Sequence, residues 1–137
     1  MRPTNHALEQ QLELRRRHER RVREAIDRLG CRNMNNTKWR EAFTAIHEAR
    51  PAKFSVRVKL VYNKRPHFAN GIRLVGHKYV DCSAGPFEHR EIEWLEVAGE
   101  DKSVIRQQLQ KLGELPIEEA DNGFRILGYG TATVIDV

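Results

Sequence analysis

Between Lys53 and Tyr62 the chain alternates: Phe54, Val56, Val58, Leu60 and Tyr62 take every second place, with Ser55, Arg57, Lys59 and Val61 between them. A period of two sends one set to a core face and the other to a mostly cationic face, so the stretch predicts a β-strand. A different rhythm precedes it. Trp39, Phe43 and Ile46 recur at the spacing of one helix face, with Asn36 or Thr37 as cap and Pro51 as the stop. Asn5 to Leu29 predicts a longer first helix, which Asn5 can cap and Gly30 can end. Its apolar positions Leu8, Leu12, Val22, Ile26 and Leu29 are interrupted by Arg15 and Glu19 on the same stripe. The two ends can therefore pack while the basic centre stays wet.

Asn63 to Pro66 reads as a loop, and Asn70-Gly71 as a turn before an extended stretch at 72–75. His77–Cys82 either continues that strand or begins another. After the turn Ser83-Ala84-Gly85-Pro86, residues Arg90–Val97 predict a further strand with Ile92 and Trp94 inward. Leu95 breaks the phase, which signals a bulge or a strand end. A third helix is expected over Asp101–Leu112, with Ile105, Leu109 and Leu112 as its stripe and Gly113 as its stop. Leu115–Ala120, the turn Asp121-Asn122-Gly123 and Phe124–Tyr129 predict a closing hairpin, and Thr131–Val137 is apolar enough for one more strand. The fold class is α+β in the order α-α-β-β-β-α-β-β: a mainly antiparallel sheet of about five strands, with helices packed on one face. The expected organisation is an N-terminal basic helix (residues 1–33) added to a single domain (residues 34–137).

Length and composition change this picture little. A chain of 137 residues, 39% hydrophobic and 31% charged, suits one ordinary core. No apolar run spans a bilayer, the N-terminus lacks the apolar stretch of a secretory signal, and two distant cysteines make no disulfide framework. A cytoplasmic protein is expected.

Charge changes it more. The net +5 conceals eight basic against five acidic residues over 1–30, eleven against two over 31–80, and five against twelve over 81–137. Separate basic and acidic territories suit either self-complementary packing or a partner with a patterned charge surface.

The six histidines form no H-x-x-x-H or H-E-x-x-H pair, so surface or satisfied core positions are expected for them, with no metal and no cofactor. Glu88, Glu91, Glu93 and Glu96 offer carboxylates for acid–base work, which an enzyme built on Glu91 and Glu93 would need. Cross-strand pairing with Arg57, Lys59 and Arg73 is the simpler reading. The serines and cysteines lack a nucleophile's setting, and Gly128-Tyr129-Gly130 lacks the rest of a pyrophosphate fingerprint. No catalytic residue is assigned.

Three segments carry a resemblance: Met34-Asn35-Asn36-Thr37-Lys38-Trp39, Glu91-Ile92-Glu93-Trp94-Leu95-Glu96 and Gly123-Phe124-Arg125-Ile126-Leu127-Gly128-Tyr129. Together they resemble a family of small bacterial proteins of unknown function, over about residues 34–130. The resemblance implies a bacterial origin and a compact α+β core, and it transfers no active site.

The resulting expectation is a non-enzymatic partner-binding protein, an immunity protein or comparable inhibitor of a cognate toxin. Arg57, Lys59 and Arg73, with Lys64 and Arg65 nearby, form the first candidate surface. Arg16, Arg17 and Arg20 on the first helix form the second, and that helix is also a candidate for self-association. The alternative is an RNA- or DNA-binding module using the same cations, with Tyr62 or Phe68 as a stacking group. No membrane partner is expected.

Overall fold

In the computed structural model, which describes residues 5–130, three α-helices accompany two antiparallel sheets. Helices α1 (Asn5–Leu29) and α2 (Asn36–Glu48) come first, then strands β1 (Ser55–Leu60), β2 (His67–Phe68), β3 (Arg73–Val75), β4 (Tyr79–Asp81) and β5 (Phe87–Glu88). A 3₁₀ turn over His89–Glu91 leads into β6 (Ile92–Ala98), followed by α3 (Lys102–Gln110), β7 (Ile117–Ala120) and β8 (Gly123–Leu127). The larger sheet has the order β2-β1-β6-β8-β7, the smaller β3-β4-β5, and every pairing is antiparallel. The strand expected over 131–137 lies outside the described residues.

The alternation read in β1 is the alternation observed. Val56, Val58 and Leu60 are buried, while Ser55, Arg57 and Lys59 lie half-buried on the other face. Two helices close the apolar face. From α2 come Trp39, Ala42, Phe43, Ala45 and Ile46, with Trp39 and Phe43 stacked at 5.7 Å, and from α3 come Ile105 and Leu109. Leu112, counted in that stripe, lies beyond the helix and is exposed. Asn35, one residue earlier than expected, caps α2 by accepting the Lys38 N–H at 2.8 Å. Asp101 accepts the N–H groups of Ala52 (2.6 Å) and Lys53 (2.8 Å), tying the entry of β1 to the start of α3.

In β6 the bulge falls at Glu93: Lys59 pairs with Trp94 but Leu60 pairs with Ile92. One extra residue exchanges the faces, so Ile92, Leu95 and Val97 point inward. Trp94, expected beside Ile92 on the core face, instead lies on the opposite side under the Arg125 guanidinium, 4.2 Å from its ring centroid. Alongside runs β8, and the glycines at its start and just beyond its end are set by backbone proximity. A Cβ at Gly123 would overlap the carbonyl oxygen of Val97, and one at Gly128 that of Ile92.

Of the two alternatives for 77–82, the structure takes the second: a new strand begins, and 73–81 form a separate hairpin turning over Gly76-His77-Lys78 so that Val75 faces Tyr79. The fifth strand of the main sheet is the two-residue β2, too short for any periodicity to reveal.

The two tryptophans should part company on mutation. Trp39→Ala is expected to lower stability by roughly 3–5 kcal/mol in urea denaturation, because its ring is enclosed by the core. Trp94→Ala should cost about 1 kcal/mol, the loss of a half-buried ring and its cation contact. Equal losses would misplace the bulge.

Candidate functional site

The register of β1, β6 and β8 sets Arg57 opposite Glu96, and Glu96 opposite Arg125. Their side chains meet. Arg57 Nε donates to Glu96 Oε2 at 2.8 Å with a second guanidinium contact, and Arg125 Nε donates to Oε1 at 3.3 Å. Lys59 Nζ lies 2.7 Å from Glu93 and donates to the Leu60 carbonyl at 2.9 Å. The basic middle of the chain thus lies against its acidic end, and the face reads as self-complementary. Arg73, on the small sheet, pairs with Asp81 at 3.3 Å, and Arg17 with Glu13 at 3.3 Å along α1. Such exposed pairs contribute little.

Four of the eight candidate cations are therefore engaged within the chain. Arg16, Arg20, Lys64 and Arg65 are exposed, and among the described residues none of them forms an ion pair. The Tyr62 ring packs edge-on to His18 at 5.4 Å and lies 5.5 Å from the Arg21 guanidinium. The loop bearing Lys64 and Arg65 accordingly leaves β1 beside the middle of α1.

Glu91, expected to share a strand face with Glu93 opposite Arg57, Lys59 and Arg73, lies ahead of the strand in the 3₁₀ turn. Its buried carboxylate receives the Glu88 N–H at 2.6 Å, lies 2.9 Å from His18 Nε2, and bonds to the Tyr62 hydroxyl. Burial, then the charge of Glu91, pushes the Tyr62 hydroxyl up to about 12. Beside it Arg90 bridges Glu19 of α1 and Glu88. Burial raises the Glu88 carboxyl, but Arg90 and Lys78 more than reverse this and leave it below the usual range. The Arg90 hydrogen bond likewise lowers Glu19. Tyr129 donates its hydroxyl to the Arg90 carbonyl at 2.6 Å.

These groups border an open cleft of about 690 Å³ between α1 and residues 86–91. Its carboxylates already accept bonds from the chain itself, so the cleft acts first as a clasp holding α1. Below it Val22 and Ala25 close over Val61 and Tyr129. The Glu88/Glu91 spacing is a local capping signal, since each side chain caps the other's end of the turn. His18 and Glu19 meet it across more than seventy residues, which no local pattern announces.

His89 departs from the satisfied histidine expected. It is fully enclosed, its ring 6.1 Å from that of Phe43, and neither ring nitrogen has a hydrogen-bond partner. Burial, with Arg40, Arg32 and His77 nearby, holds its pKa down to about 4. Among the described residues no group of three His, Cys, Asp or Glu side chains is placed to hold a metal ion, and no helix is long and apolar enough to cross a membrane.

What fold and surface define is an α+β domain with a neutralised sheet face and a basic helix clasped to one end. The chain belongs to DUF6678, a family of unknown function whose model matches residues 23–133. That span contains all three motifs that carried the resemblance and begins inside α1. No curated protein and no solved structure matches the chain.

His89 gives a pH prediction. The unfolded imidazole takes a proton below about pH 6.5, whereas the folded one resists until about pH 4. The contribution of neutral His89 is complete above pH 6.5. It should fade by about 3 kcal/mol as pH falls from 6.5 to 4. Urea melts across that window should show this slope, and His89→Phe should flatten it. An unchanged slope in the variant would place the titration elsewhere.

Proposed function

We propose that the chain is a non-enzymatic binding protein that docks an acidic protein surface, in the manner of an immunity protein neutralising a cognate toxin. The observation that carries this reading is that Arg20, Lys64 and Arg65 are exposed and, among the described residues, form no ion pair. These cations keep their charge available where Arg57, Lys59 and Arg73 are paired within the chain. Unpaired cations of this kind steer an acidic partner and bias its orientation. The clasp at His18 and Glu91 holds Tyr62, and so the base of the loop bearing Lys64 and Arg65, in place.

One observation favours a nucleic-acid ligand instead. Phe68 is 60% exposed, three residues beyond Arg65, and a bare aromatic beside cations is a stacking platform. Tyr62, the other stacking candidate, has its hydroxyl on Glu91 and is half-buried.

Co-expression with growth-inhibiting products of the genes beside its own tests the proposal. The chain should restore growth against one of them, and a combined Arg20→Glu, Lys64→Glu, Arg65→Glu variant should lose that protection while melting normally. Protection retained by the variant, or flanking genes that encode no inhibitory product, would contradict it. Anisotropy with single-stranded RNA and DNA at low salt should show no binding. Sub-micromolar affinity falling with a log–log salt slope of roughly −0.7 to −0.9 per phosphate contact would establish the nucleic-acid reading in its place.

A further inference from the structure

Helix α1 has 25 residues, and its first buried side chain is Val22. Residues 5–17 thus form more than three turns, roughly 20 Å of helix, ahead of the clasp at His18 and Glu19. This half bears Leu8 and Leu12 one turn apart, 44% and 49% exposed. Helices this short are marginal in water without a partner for their apolar stripe.

Charge is ordered along the same helix. Over residues 5–13 the only acidic or basic side chains besides His6 are Glu9 and Glu13. Over residues 14–23 stand Arg15, Arg16, Arg17, Arg20, Arg21 and Arg23, with Glu19 the single acid. Glu9 and Arg16 are seven residues apart, hence on the same flank of the leucine stripe, and neither forms an ion pair among the described residues.

We propose that residues 5–17 of α1 bind the same residues of a second copy of this chain, antiparallel, with Leu12 near the two-fold axis. In that register Glu9 of each copy lies beside Arg16 of the other, a pair made twice by symmetry. Leu8 packs along the aliphatic stem of the same arginine. A parallel pair brings opposite flanks of the two helices together, so Glu9 and Arg16, which share one flank, would not meet, and only the antiparallel arrangement pairs them. It also keeps the two domains at opposite ends of the shared segment. Contact over three turns of each helix falls below the roughly 1,200 Å² of a stable interface, so the dimer is weak and reversible. The exposed cations Arg20, Lys64 and Arg65 lie outside the paired segment and remain free for a different partner.

Sedimentation equilibrium on the full chain, from micromolar to near-millimolar concentration, tests this. The mass should climb from 16.0 kDa toward twice that value. Leu8→Lys with Leu12→Lys should abolish the rise while leaving the melting temperature of the dilute monomer unchanged, because neither leucine is buried in the protomer. Glu9→Arg and Arg16→Glu should each weaken dimerisation about tenfold, and the two together should restore it. A mass fixed at 16.0 kDa would overturn the proposal, as would a dimer that survives the leucine changes. A combined charge reversal no tighter than either single one would overturn the antiparallel pairing.

Discussion

One carboxylate organises the polar face of the larger sheet. Glu96 stands on β6, between β1 and β8, and is only 7% exposed. An unpaired carboxylate so far from water would cost several kcal/mol, so its position requires cations from both neighbouring strands. Arg57 supplies one and Arg125 the other. Arg125 then covers Trp94 with its guanidinium, so the ion pair and the aromatic contact share a side chain. What resembles a binding face in the sequence of β1 is half of an internal charge pattern whose other half lies about forty residues later.

The bulge at Glu93 makes this pattern compatible with the core. Without the extra residue, a strand with Ile92 facing inward would bury Glu96 in the apolar layer and turn Leu95 and Val97 to solvent. With it, Ile92 faces the core on one side of the irregularity and Leu95 and Val97 on the other, while Glu93 meets Lys59. The close approach of Gly123 and Gly128 to the β6 backbone then draws Arg125 into reach. Two of the three motifs that carry the family resemblance, around Glu91–Glu96 and Gly123–Tyr129, are therefore the two sides of one strand pairing.

Much of this was legible along the chain because it is local. The period of two in Ser55–Leu60 and the helical spacing of Trp39, Phe43 and Ile46 reflect elements with one buried face, and the step from Ile92 to Leu95 announced a bulge or a strand end, of which the structure forms the bulge. The direction of Trp94 was not legible, because placing the extra residue requires the partner strand. Nor was the hairpin at 73–81, whose short strands carry little alternation, or β2, which has two residues. Of the candidate cations, Arg57 and Lys59 were also read as cross-strand partners of Glu91 and Glu93: Lys59 does meet Glu93, whereas Arg57 meets Glu96 instead. The clasp of His18, Glu19, Tyr62, Arg90 and Glu91 joins distant segments, and only the Glu88/Glu91 cap within it has a sequence signature.

If the β1 cations serve the sheet, the basic surface available to a partner is the one beside α1, and the division of labour rests on the strength of the Arg57–Glu96 pair. A double-mutant cycle measures that strength directly. Arg57→Ala, Glu96→Ala and the combined variant, each unfolded in urea, isolate the pairwise energy from the loss of either side chain alone. A coupling of at least about 1.5 kcal/mol is predicted for this half-buried, doubly bonded pair. A coupling near zero would mean that Arg57 is free for an external partner, and would contradict the account.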